Sequence, residues 1–209
     1  MKTLLVCIFF SVFQMPCFAF ELPKEIPSEI RPFEEQGTNI ISWKSSDLNG
    51  DGLVDYLVVL EIQKANPSSP DMLEKQRPVL IVTRQKDDSL KLVKRNDNIV
   101  SCSTCGGTFV DGFAEIITSK YAFSITNHLR GTSAQTTKTY TFAYSRRDNT
   151  WQLVKVETNQ EELNETEGFK YVMKPPNDFG KIDFTDLDSE FYLGQGKGYI
   201  PRKKKNITN

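Results

Sequence analysis

The amino-acid sequence predicts a mainly β chain, with antiparallel hairpins or a meander in one compact domain and little helix. Three observations carry that expectation. Apolar residues gather in short, β-branched runs bounded by turn residues, such as LVDYLVVLE over 53–61 and PVLIVTR over 78–84. Tyr140, Phe142 and Tyr144 alternate with Thr139, Thr141 and Ala143, the period of a strand with one aromatic face packed into a core. Strands do not alternate with helical segments, as a parallel sheet would require. The length of 209 residues agrees with a single domain.

Residues 1–19 read as a cleaved secretory signal. Lys2 supplies the positive start, an apolar run opens at Leu4, and Cys17-Phe18-Ala19 ends on a small residue before Phe20. A membrane anchor needs ~20 apolar residues, and Ser11, Gln14 and Pro16 interrupt the run. Lipidation at Cys17 is the other alternative, although Gln14-Met15-Pro16 departs from the bacterial lipoprotein pattern. The expected location is therefore the periplasm or the exterior. The mature chain, residues 20–209, is expected to form one β-rich domain with no further transmembrane segment.

Within 21–37, Pro23, Pro27 and Pro32 remove backbone donors and disfavour helix before them. An extended lead-in with at most a short helix near 28–36 is expected. Strands follow at 53–61, 78–84 and 90–95, the last two joined through Asp87-Asp88-Ser89 at hairpin distance. A second group is expected at 114–118, 121–127, 138–144 and 151–156. The acidic stretch NQEELNETEG over 159–168 reads as a solvated loop, and Lys203-Lys204-Lys205 as part of a flexible basic tail.

Lys and Arg number 26 against 27 Asp and Glu, a formal charge of −1, which argues against a nucleic-acid partner. One His in the chain excludes chemistry that needs two. That residue, His128, has Ser124 and Ser133 near it in sequence, but no G-x-S-x-G motif occurs. A packing or surface role is the expectation for it.

The informative stretch is Asp47-Leu48-Asn49-Gly50-Asp51-Gly52-Leu53-Val54-Asp55. Calcium takes six to eight oxygens from carboxylates, amides, backbone carbonyls and water. Asp47, Asn49, Asp51 and Asp55 supply side-chain oxygens at loop positions one, three, five and nine, and Leu53 offers a carbonyl at seven. Gly52 stands where the chain must turn sharply. The helix–loop–helix hand needs a bidentate Glu at position twelve, which here is Val58 in a strand-like run. The ion-free alternative is an Asx-rich turn.

This stretch resembles the calcium loops of FG-GAP repeats in integrin-α-type β-propellers, where D-x-[DN]-x-D-G-x-x-D feeds directly into a strand. The resemblance covers about fifteen residues, from Asp47 to Glu61. It implies a structural Ca²⁺ on Asp47, Asn49, Asp51, Leu53 and Asp55. A propeller stacks at least four blades, and one such loop occurs here, so the resemblance concerns the loop and not the whole fold.

Cys7 and Cys17 belong to the signal, which leaves Cys102 and Cys105 to pair with each other. A small structural disulfide is expected. A redox pair would want a helix start after it, and Gly106-Gly107 follows instead. Zinc lacks ligands, since tetrahedral sites want four. With Tyr140-Thr141-Phe142 and Trp151, the segment is similar to a group of bacterial secreted β-rich proteins, a likeness that implies no activity.

Two functions follow as expectations. The first is a non-catalytic binding or structural module braced by Ca²⁺, its partner a protein or glycan of the cell envelope. The second is a glycosidase-like hydrolase using paired carboxylates such as Asp111 and Glu115.

Overall fold

The computed structural model describes residues 25–63, 77–107, 110–163, 168–189 and, for the backbone, 205–206. The proposed signal and most of the basic tail lie outside the described residues. The chain folds as two antiparallel sheets with very little helix, as the sequence predicts. The first sheet is a meander of β1 (Thr38–Ser46), β2 (Asp55–Ile62), β3 (Arg77–Arg84) and β4 (Leu90–Val100), in spatial order 1-2-3-4. The second contains β5 (Phe113–Ser119), β6 (Ala122–Arg130), β7 (Ala134–Ser145), β8 (Thr150–Glu162) and β9 (Gly168–Met173), again in chain order, with β10 (Lys205–Asn206) beyond β9.

The continuous apolar runs of β2 and β3 are explained by burial on both faces. Leu57, Val59, Val79 and Ile81 face the second sheet, within a cluster that includes Ile116, Phe123, Ile125, Tyr140, Phe142, Trp151 and Leu153. Tyr56, Val58, Leu60, Leu80 and Val82 form the opposite face, covered by Ile30 and Phe33 of a 3₁₀ turn, Ser28–Phe33. The short helix expected near 28–36 is this turn. Arg84 clamps it in place, donating from Nη2 to both oxygens of Glu29 at 2.7 and 2.8 Å.

The aromatic stripe of β7 packs inward. Tyr140 and Phe142 are fully buried and Tyr144 partly so. Phe142 stacks on Phe123 at 5.1 Å between ring centres, and Phe184 meets both edge-on at 5.4 and 5.6 Å. Each such pair contributes ~0.5–1.5 kcal/mol beyond area burial. Phe184 sits in a second 3₁₀ turn, Phe184–Asp186, which Asn96 fastens to β4 by donating to the carbonyls of Phe184 and Leu187.

Two expectations need correction. Residues 159–162 are not loop but the end of β8, paired with β7 (Gln160 opposite Thr136) and with β9 (Gln160 opposite Phe169). Backbone pairing on both sides holds polar residues extended where the hydrophobic pattern is silent. Residues 164–167 lie outside the described residues. β1 and β9 were not expected as strands; β1 buries only Ile40, its other residues being half-buried or exposed.

Lys138 shares the inward face of β7 with Tyr140 and Phe142 and is 8% exposed. Burial pulls its ammonium down to about 8 from 10.5. Between those values the unfolded chain binds more protons than the folded one, so stability rises with pH across that window. Stability of the parent should therefore climb between pH 8 and 10, and Lys138→Met, which has no ammonium to titrate there, should lack that contribution. Urea unfolding of both chains at pH 7, 8, 9 and 10 measures it.

Candidate functional site

The 47–54 connection joins β1 to β2 across the pair Ser46 and Asp55. Three anchors fix it. Leu48 is fully buried in the core between the sheets, unusual for a loop residue. Its carbonyl accepts the indole N–H of Trp151 at 2.9 Å. The carbonyl of Asp47 accepts the backbone N–H of Tyr121, from the β5–β6 turn, at 3.0 Å. The loop is thereby tied to the second sheet, which nothing in its own sequence announces.

The five sequence-predicted residues occupy this one connection and the first residue of β2. Asp47 accepts from the N–H groups of Gly50 (2.7 Å) and Gly52 (3.2 Å), with Lys120 Nζ at 3.4 Å. Asn49 and Asp51 exchange bonds: the Asn49 amide donates to Asp51 Oδ2 and Asp51 N–H donates to Asn49 Oδ1, both at 2.9 Å. Leu53 N–H donates to Asp51 Oδ1 at 2.8 Å. Asp55 is fully buried; its Oδ2 accepts from Leu48 (2.9 Å) and Asn49 (3.3 Å), and its Oδ1 from Arg84 N–H (3.0 Å).

Burial raises the Asp55 carboxyl to about 6, and the charge of Asp51 adds to the rise against the pull of the three N–H donors. The donor set is all oxygen and suits a hard cation. Each carboxylate has about four acceptor positions, of which these hydrogen bonds use two or three. Among the described residues, no three His, Cys, Asp or Glu side chains are grouped so as to hold a metal ion. The carboxylates are instead turned onto N–H groups, those of their own loop and, for Asp55, also that of Arg84.

The other candidates are placed as follows. Cys102 and Cys105 are joined by a disulfide, with Cα atoms 5.0 Å apart. The segment after them packs against β6, where Gly106 accepts from Arg130 N–H at 2.6 Å. Asp111 is held by Arg77 at 2.5 and 3.0 Å and by Phe113 N–H at 2.8 Å. Burial pushes its carboxyl up, but these donors outweigh burial and keep it below the usual carboxylate range. A carboxylate so held is a poor proton donor for glycosidic cleavage, and Glu115 is exposed on β5. His128 Nδ1 meets Thr137 Oγ1 at 3.1 Å. Ser124 lies four residues back on the same strand, ~13 Å away by strand rise, too far for a nucleophile–base pair.

Beside the loop lies an open groove of about 800 Å³. Its walls are the loop, the β3–β4 hairpin and the β7–β8 turn, and its lining includes Asn49, Asp51, Lys86, Lys91, Tyr144 and Asn149. Sequence reasoning missed it, because its residues are scattered across three connections. Among the described residues, no helix is long and apolar enough to cross a membrane. Comparison with known protein families, curated proteins and solved structures finds no match.

The two glycines of the loop separate strain from space. Gly50 and Gly52 have φ of +78° and +90°. A Cβ on Gly50 would fall 1.7 Å from the Tyr121 ring, whereas one on Gly52 meets nothing within 4 Å. Gly52→Ala should therefore cost ~1 kcal/mol of backbone strain. Gly50→Ala should cost ~2–4 kcal/mol, since it also displaces Tyr121. Denaturant midpoints of the two variants check the order.

Proposed function

We propose that the chain is an exported, non-catalytic binding module whose 47–55 loop takes one Ca²⁺ that braces the β1–β2 hairpin. The observation that carries this reading is the D-x-N-x-D-G-x-x-D spacing set in a single connection that Leu48, Trp151 and Tyr121 hold against the core. A cation there would relieve the repulsion between Asp51 and the buried Asp55. Asp47, Asn49, Asp51 and Asp55 would hold the ion with the Leu53 carbonyl, and the ion would supply charge and rigidity. Export is supported by the layout of residues 1–19 and by the Cys102–Cys105 pair, which suits an oxidising compartment. The partner in this reading is a protein or glycan of the cell envelope.

Extracellular calcium modules bind at roughly 10⁻⁴–10⁻³ M, and tighter sites reach ~10⁻⁵ M. At ~1 mM free calcium that range adds about 0.4–2.7 kcal/mol. Melting temperature should rise by ~1–10 °C. Asp51→Ala should abolish the rise and leave the fold intact, and magnesium should substitute poorly. Because Trp151 bonds the loop, a Trp43→Phe variant should also report calcium through the emission of Trp151. No heat of binding and an unchanged melting curve up to ~5 mM calcium would leave an ion-free turn.

A further inference from the structure

We propose that Cys105 is a thiol-exchange site: its sulfur takes the attack of an incoming thiolate, and the buried Cys102 is the sulfur that leaves. The partner is a reductant carrying two thiols. The inference goes beyond the binding-module reading and does not depend on the calcium loop.

The bond does little to brace its own segment. It joins residues three apart in sequence, and the stabilisation a disulfide gives shrinks with the loop it closes. Both sides of the turn are already held without it. On one side, Ser101 N–H donates to Asn127 Oδ1 at 3.3 Å, and the Ser101 carbonyl accepts from Arg77 Nη1 at 3.3 Å. The Cys102 carbonyl accepts the N–H groups of Cys105 (3.2 Å) and Gly112 (3.3 Å). On the other side, the Gly106 carbonyl accepts from Arg130 N–H at 2.6 Å, and the Gly112 carbonyl from His128 N–H at 2.9 Å. Asp111 adds its ion pair with the buried Arg77. With the sulfurs parted, these bonds keep the turn in place.

The two cysteines differ in what they offer a nucleophile. Cys102 is 2% exposed, whereas Cys105 is open to solvent, so an attacking thiolate reaches Cys105. Thr104 Oγ1 lies 3.9 Å from Cys102 Sγ. A disulfide sulfur carries no proton, so the hydroxyl is the donor of that contact. The incoming thiolate forms a sulfur–sulfur bond to Cys105 as the Cys102–Cys105 bond breaks, and the electron pair departs on Cys102 Sγ. Burial alone raises a thiol's pKa and makes it a poor leaving group. The Thr104 hydroxyl offsets this by donating to the thiolate as it forms. Cys102 then takes a proton from water. The second thiolate of the reductant attacks its own sulfur in the mixed disulfide and releases Cys105. Two electrons pass to the cysteine pair, and the reductant ends as a disulfide.

The test uses the oxidised full chain in native buffer. Excess glutathione is added, the reaction is quenched in acid, and the adduct is localised by peptide fragmentation. Glutathione should be found on Cys105 in ~10-fold excess over Cys102. Dithiothreitol should reduce the pair at a rate that low urea leaves unchanged, since reduction by way of unfolding accelerates steeply with urea. The reduced chain should keep its far-UV and near-UV circular dichroism. Thr104→Val should slow reduction ~3-fold with the melting temperature of the oxidised chain unchanged, and Thr104→Ser should restore the rate. Adducts shared evenly or placed on Cys102 would overturn the proposal. So would reduction that follows the urea dependence of unfolding, a reduced chain without its near-UV signal, or a Thr104→Val rate equal to the parent's.

Discussion

Burial of β2 and β3 on both faces is the constraint around which the rest of the molecule is arranged. A half-buried sheet needs one partner; these strands need two. The second sheet supplies one and the 3₁₀ turn at Ser28–Phe33 the other. At ~25 cal/mol per Å² of apolar surface, a doubly covered pair of strands is the largest stabilising element available to a chain of this composition. The demand reaches the polar residues at the strand ends. Arg84 ties the turn down through Glu29, and its own backbone N–H satisfies the buried carboxylate of Asp55. Asp55 is thus a member of the core before it is a candidate ligand.

Strand positions were legible wherever burial imposed a pattern. β2, β3 and β7 were marked by apolar runs or by alternation, and the β3–β4 hairpin by Asp87-Asp88-Ser89. Pattern failed where burial is shallow. β1 is half-buried, and the outer part of β8 carries Asn, Gln and Glu that show intermediate or full exposure while the backbone is paired on both sides. Hydrogen bonding between backbones has no side-chain signature, so those residues looked like loop.

The candidate site was legible to a different degree at each level. Oxygen spacing named the five loop residues. What holds the loop, namely Leu48 in the core, Trp151 on its carbonyl and Tyr121 on Asp47, joins positions separated by as many as 103 residues and has no local mark. The groove is a further step removed. Lys86, Lys91 and Tyr144 come to line one groove only when a hairpin of one sheet and a turn of the other close on the same side of the loop. Asp111 shows the converse: a carboxylate that sequence alone offers as an acid is held by the buried guanidinium of Arg77, which also donates to the Ser101 carbonyl.

The order of the strands has a kinetic consequence. In both sheets the neighbours in space are neighbours in sequence, up to β9. Each meander can therefore assemble by hairpin closures over short loops, the steps that cost the least chain entropy. β1 against β5 and β4 against β6 then join one sheet to the other. Among the described residues the chain crosses between sheets once, from β4 to β5, through a segment that contains the Cys102–Cys105 bond and Asp111, the partner of Arg77 on β3. That crossing sets how far apart the two halves can drift before they meet, and so places the slow event of folding at the interface rather than within either sheet.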